Sequence, residues 1–217
     1  MILISFVLTL IFIIWFWYIN LNHPKLPTAD INDIPFKTGD LIIFHAYDNI
    51  YPTIFGSYWT HVGIVYKPDD KAPLLFEAVN LTCYKKKTSI DKGIKLVDLK
   101  TRLARYPGYI AYKRLDIPVD AHATTQFTEF IKYALENYSY NNKVILNWYN
   151  KVLGEPYNFK TNCGELAILS IIHMGLLNDT KSNKNICHPL LYLANLKKLN
   201  KNFYHDPVKI FIDSFYE

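Results

Sequence analysis

The chain has 217 residues, half of them apolar, with a formal charge of +5, a length that points to one domain built around one core. Seventeen Tyr, thirteen Phe and four Trp exclude a disordered chain, because buried rings supply the apolar area that offsets lost chain entropy. The lysine runs, such as Lys85-Lys86-Lys87 and Lys197-Lys198, are short and read as solvated faces, and no nucleic-acid motif accompanies them. Cys83, Cys163 and Cys187 are odd in number and lack CxxC spacing, which fits neither a disulfide framework nor a standard zinc site and suits a reducing compartment.

From Met1 to Tyr18 no side chain is charged. At about 1.5 Å per residue such a run nearly crosses a hydrocarbon layer about 30 Å thick, so residues 1–19 are expected to form one transmembrane helix. No basic residue precedes the run and no small-residue cleavage site follows it, which disfavours a secretory signal peptide. Trp15, Phe16, Trp17 and Tyr18 suit the headgroup level. Lys25 and Lys37 beyond them place the rest of the chain on the cytosolic side of a single-pass membrane protein. Asn80-Leu81-Thr82, Asn137-Tyr138-Ser139 and Asn178-Asp179-Thr180 match the glycosylation pattern and argue the other way, although an Asn-rich chain produces such matches by chance.

Residues 20–35, punctuated by Pro24 and Pro27, read as a linker that does not pack on the domain of residues 36–217. Short apolar runs follow at Leu41 to Phe44, Val62 to Tyr66, Leu74 to Val79, Ile94 to Val97 and Tyr109 to Tyr112. Their β-branched and aromatic content predicts five strands of a mostly antiparallel sheet. After Pro118 the period changes. Phe127, Phe130, Ile131, Ala134, Leu135 and Tyr138 make the stripe of an amphipathic helix. A second helix is expected over about Lys143 to Leu153, and a third, apolar on most faces, from near Cys163 to Gly175. Strands first and helices later give an α+β class.

Cys163 in Asn162-Cys163-Gly164-Glu165 opens a helix, where unpaired backbone N–H groups favour a thiolate and an oxyanion. By itself such a cysteine is an ordinary packing residue. His61 begins the run His61-Val62-Gly63-Ile64-Val65-Tyr66, and a hairpin centred on Asp69 sets it opposite Glu77. Registers shifted by two residues keep both side chains on one sheet face. A carboxylate beside an imidazole fixes its tautomer, and Glu77 between Phe76 and Ala78 is a charge in need of a partner. Tyr58 and Tyr157 are candidate substrate or oxyanion contacts, although in so Tyr-rich a chain each is more often a core or rim residue, and His45 at the end of the first strand is a candidate to line the same cleft. Cys187-His188 before Pro189 reads as a helix start. A zinc site from Cys163, His61 and Cys187 has suitable residue types and no ligand spacing.

The ordered set Gly39-Asp40-Leu41, Thr60-His61-Val62-Gly63, Phe76-Glu77-Ala78, Gly154-Glu155-Pro156-Tyr157 and Asn162-Cys163-Gly164-Glu165 resembles the permuted NlpC-type papain-like family. That group includes bacterial YiiX-like proteins, poxvirus and other large-DNA-virus proteins and, more distantly, lecithin:retinol acyltransferase-like enzymes. The histidine precedes the cysteine, as in permuted members. The resemblance implies a circularly permuted papain-like fold with Cys163 as nucleophile, His61 as base and Glu77 as the orienting residue. Gly164 stands where many relatives have Ser. The expected activity is hydrolysis or acyl transfer at an amide, ester or thioester through an acyl-cysteine intermediate, with no cofactor and no metal. The span suggests a lipid or membrane-associated protein substrate. The alternative is a noncatalytic membrane or virion interaction module of the same fold.

Overall fold

The computed structural model describes residues 2–21, 25–46, 58–69, 71–79, 93–106, 108–140, 160–177 and 204–212. Their helices are α1 (Ile2–Leu21), α2 (Leu99–Ala104), α3 (Ala121–Asn137) and α4 (Cys163–His173). The strands are β1 (Thr28–Asp30), β2 (Leu41–Ala46), β3 (His61–Tyr66), β4 (Leu74–Val79), β5 (Gly93–Asp98), β6 (Gly108–Lys113), β7 (Ser139–Tyr140), β8 (Lys160–Thr161) and β9 (Val208–Phe211). The chain is α+β.

The expected sheet of about five antiparallel strands is corrected to seven strands and mixed direction, in the order β1-β9-β6-β2-β3-β4-β5. The five apolar runs pair antiparallel with their neighbours, and β9 extends the sheet from β6. The parallel element is β1 on β9, with Thr28 beside Lys209 and Asp30 beside Phe211. Within the expected linker, Thr28–Asp30 forms β1, and Ile31 and Ile34 are buried beyond it. The pair β7 and β8 forms a separate two-stranded parallel ribbon leading into α4.

Strand alternation divides the apolar side chains into two cores, one on each face of the sheet. The first holds Leu41, Ile43, Val62, Ile64, Phe76 and Ala78, covered by α3 and α4. The second holds Ile42, Phe44, Val65 and Leu75, covered by α2 and the segment around Ile31 and Phe36. Helix α3 is capped by Asp120, whose carboxylate accepts the Ala123 N–H at 2.7 Å, and it buries Phe127, Phe130, Ile131 and Ala134. Leu135, expected on that stripe, is 41% exposed. Helix α4 ends at Met174, and Gly175 takes the left-handed conformation at φ +69° that closes a helix without steric cost. The helix expected over about Lys143 to Leu153 lies outside the described residues.

The Gly39-Asp40 pair turns the chain into β2. Gly39 has φ +93°, and the fully buried Asp40 accepts N–H groups from Lys37 at 2.9 Å and Leu115 at 2.8 Å. One carboxylate thereby ties the entry of β2 to the exit of β6.

The single-pass span is also corrected. Residues 2–21 do form a helix with exposed apolar side chains, but among the described residues no helix is long and apolar enough to cross a membrane. Single-pass placement and the cytosolic side assigned from it are therefore not supported.

Candidate active site

The site begins with a ladder register. Gly63, not His61, stands directly opposite Glu77, a shift of two residues from the predicted pairing. Because the strand period is two, the shift keeps both side chains on one face, and they meet diagonally: His61 Nε2 lies 2.7 Å from Glu77 Oε2. His61 is 4% exposed and Glu77 is fully buried.

A third residue, not singled out from sequence, completes the cluster. Arg102 of α2 donates from Nε to Glu77 Oε1 at 2.6 Å and from Nη2 to Oε2 at 3.2 Å. Its guanidinium carbon lies 4.9 Å from the Phe44 ring centre and 5.3 Å from that of Tyr106, so the planar cation is packed between aromatic faces. Phe44 also meets the His61 ring at 5.3 Å, its cross-strand partner.

Burial would raise the Glu77 pKa, but the Arg102 charge, with the hydrogen bond and charge of His61, overrides it and holds the carboxyl at about 2, below its ordinary 4.5. Glu77 is therefore an ionised acceptor at neutral pH. The His61 nitrogen facing it must be the N–H donor, which makes Nδ1 the nitrogen that accepts a proton in the neutral ring.

Cys163 is the first residue of α4 and is 7% exposed. Asn162 caps the helix: its Oδ1 accepts the Glu165 N–H at 3.0 Å, and Glu165 Oε2 accepts the Asn162 N–H at 3.3 Å. That box uses two of the N-terminal amides, and helical geometry leaves those of Cys163 and Gly164 without a partner inside the helix.

His61 and Cys163 meet β3 from different sides. His61 shares the face of Phe44 and Glu77, whereas Cys163 belongs to the core that holds Val62 and Ile64. Helix α4 packs on β3. Among the described residues no hydrogen bond joins the Cys163 thiol to an imidazole.

His45, fully buried near the end of β2, stacks on Tyr58 with ring centres 3.9 Å apart at 11°, and its Nδ1–H donates to the Tyr58 carbonyl. It falls on the face of Leu41 and Ile43, and the Tyr58 carbonyl occupies that nitrogen. Tyr58 lines a cavity of about 250 Å³ with Lys25, Trp59, Tyr109 and Lys209, and neither His61 nor Cys163 is among its lining residues. Tyr157, Cys83 and Cys187 lie outside the described residues. Among the described residues no group of three or more His, Cys, Asp or Glu side chains could hold a metal ion.

Arg102 was legible in part. Asp98-Leu99-Lys100-Thr101 is a helix-start pattern, and Asp98 does accept the Thr101 N–H at 2.8 Å. With Leu99 and Leu103 buried beside it, Arg102 lies on the apolar stripe of that short helix, where a cation needs a counter-charge.

Comparison of the sequence with protein-family models gave no match, and neither did comparison with curated proteins. Among solved structures, the crystal structure of the metalloprotein YiiX from Escherichia coli O157:H7 is similar over 79% of this chain and 87% of that one, at 17% identity and a TM-score of 0.47. A likeness at that level assigns no family.

Proposed function

We propose that the chain is a cysteine hydrolase or acyl-transfer enzyme acting on an amide, ester or thioester, with Cys163 as nucleophile and His61 as base. The observation that carries this reading is the His61–Glu77 hydrogen bond of 2.7 Å on the strand against which the Cys163 helix packs. The resemblance of the ordered motifs to permuted papain-like enzymes supports the same roles. In the reaction, Cys163 Sγ attacks the carbonyl carbon and its proton passes to His61 Nδ1, a step that requires the two groups, set on different faces of β3, to be brought together. The carbonyl oxygen becomes an oxyanion facing the Cys163 and Gly164 amides. Collapse expels the amine, alcohol or thiol, which takes the proton back from His61. Water, or an acceptor in acyl transfer, then attacks the acyl-Cys163 carbonyl, giving its proton to His61, and the thiol is restored.

A second reading, a noncatalytic interaction module of the same fold, is favoured by one observation: His61 and Cys163 belong to different faces of β3, with no hydrogen bond between them among the described residues. Alkylation of the full chain by iodoacetamide across pH, with C163A and H61A for comparison, separates the two. Enzyme chemistry predicts that Cys163 reacts below pH 7 at least tenfold faster than Cys83 and Cys187, and that H61A removes the advantage. Equal rates at the three cysteines, or an advantage that survives H61A, would overturn it.

A further inference from the structure

Among the described residues, three donor groups meet the two oxygens of Glu77. Arg102 Nε donates to Oε1, and Oε2 accepts from both Arg102 Nη2 and His61 Nε2. The arrangement is asymmetric, and the asymmetry has consequences for the imidazole. In a plain buried His–Glu pair, protonating His61 would neutralise the carboxylate, and the ring would hold its proton as a stable imidazolium. Such a ring is a poor base. Here the guanidinium already neutralises Glu77 and stays charged at every accessible pH. A proton added to His61 leaves these three side chains with a net positive charge, close to Arg102 and buried.

We propose that Arg102 is a positioning residue for His61: by clamping Glu77 it fixes the Nε2–H tautomer and keeps the ring neutral, with Nδ1 basic, at neutral pH. The inference deepens the catalytic reading of His61 and rests on it for its purpose. The geometry supports it from every side. Phe44 and Tyr106 hold the guanidinium plane, so the clamp cannot swing away. From β4 the charged group facing the ring is Glu77, and from α2 it is Arg102. From β5, Lys95 stands across the ladder from Glu77 and adds positive charge to the same face. From β2, Phe44 adds none. Helix α4, on the other face of β3, brings Cys163 and Glu165 at its first turn.

The test is ¹⁵N and ¹H NMR titration of histidine-labelled full chain, with the His61 signals identified by their loss in H61Q. In the unmutated protein at pH 7 the expected His61 ring is neutral and protonated on Nε2; an imidazolium there overturns the proposal without any variant. In R102Q the midpoint of His61 protonation should rise by at least one pH unit, a tenfold tighter proton, and R102K should bring it back toward the original value. An unmoved midpoint in R102Q that still melts cooperatively also overturns it. Should R102Q fail to fold, the ring state of the unmutated protein and the R102K titration decide. None of these readings involves Cys163, so a neutral, Arg102-dependent His61 beside an ordinary Cys163 thiol would sink the catalytic reading and leave this one standing.

Discussion

Glu77 and Arg102 meet through two hydrogen bonds, at 2.6 and 3.2 Å, with both side chains fully withdrawn from solvent. A buried pair of this geometry is costly to break from one side, because the remaining charge has lost its partner. Glu77→Gln is expected to destabilise the fold by about 3–5 kcal/mol in urea unfolding at pH 7. A loss below about 1 kcal/mol would mean that water reaches Arg102. The same pair sets an acid limit. With its carboxyl held at about 2 against an ordinary 4.5, Glu77 binds fewer protons in the folded chain than in the unfolded one between those values. Its contribution is complete above pH 4.5 and is lost as pH falls toward 2.

Asp40 has the opposite sign. Burial raises its carboxyl to about 6 from 3.8, against the lowering effects of the Leu115 and Lys37 N–H bonds and the Arg114 and Lys37 charges. The folded chain binds the extra proton between pH 3.8 and 6, so this group costs stability as pH rises through that window and adds nothing further above it. Asp40→Asn removes the titration and keeps one acceptor oxygen for two N–H groups, a loss of about 1–3 kcal/mol. Unfolding at pH 4.5 and pH 7 should show a smaller difference between the two pH values in Asp40→Asn than in the unmutated chain. An equal difference would assign the window to another group.

How much of this was legible in the sequence depends on the range of the interaction. The His61–Glu77 contact follows from strand period and one hairpin, and it tolerated a register error of two residues because even shifts preserve the face. The strand β1 did not follow: Thr28–Asp30 is too short to show a period, and its partner Lys209 lies far along the chain. Arg102 was hidden for a different reason. A six-residue helix gives less than two turns of periodicity, too few to mark Arg102 as an inward-facing cation. The two cores were hidden as well. Local pattern showed which strand residues alternate, but the placement of α4 on the Val62 face, away from His61, is a packing choice made by the whole sheet.

Gly63 offers a packing test next to the site. A Cβ added there would sit 2.8 Å from Leu75 Cδ1 and 2.9 Å from its Cγ, closer than side chains approach, in a core with no slack. Gly63→Ala is expected to cost about 1–3 kcal/mol through overpacking. The cost should shrink in a Leu75→Val background, where the crowding atoms are removed, and a double-mutant cycle measures the coupling. Additive effects would show that β3 shifts to absorb the methyl group.

Asn162 links stability to the thiol through the helix start. Its side chain accepts the Glu165 N–H at 3.0 Å, and its backbone N–H donates to Glu165 Oε2 at 3.3 Å, so Asn162→Ala removes the side-chain half of the box and keeps the backbone half. Loss of a cap of this kind costs about 1 kcal/mol, measurable as a lower urea midpoint at unchanged slope. Asn162→Asp keeps an acceptor for the Glu165 N–H, but it sets a carboxylate beside Cys163 and turns the 3.1 Å bond from Asn162 Nδ2 to Glu165 Oε2 into a like-charge contact. A negative charge there opposes formation of a thiolate at the same helix end. The two variants therefore separate structure from charge: iodoacetamide should label Cys163 more slowly in Asn162→Asp than in both Asn162→Ala and the unmutated chain. Equal labelling rates would show that the helix start does not govern the reactivity of the thiol.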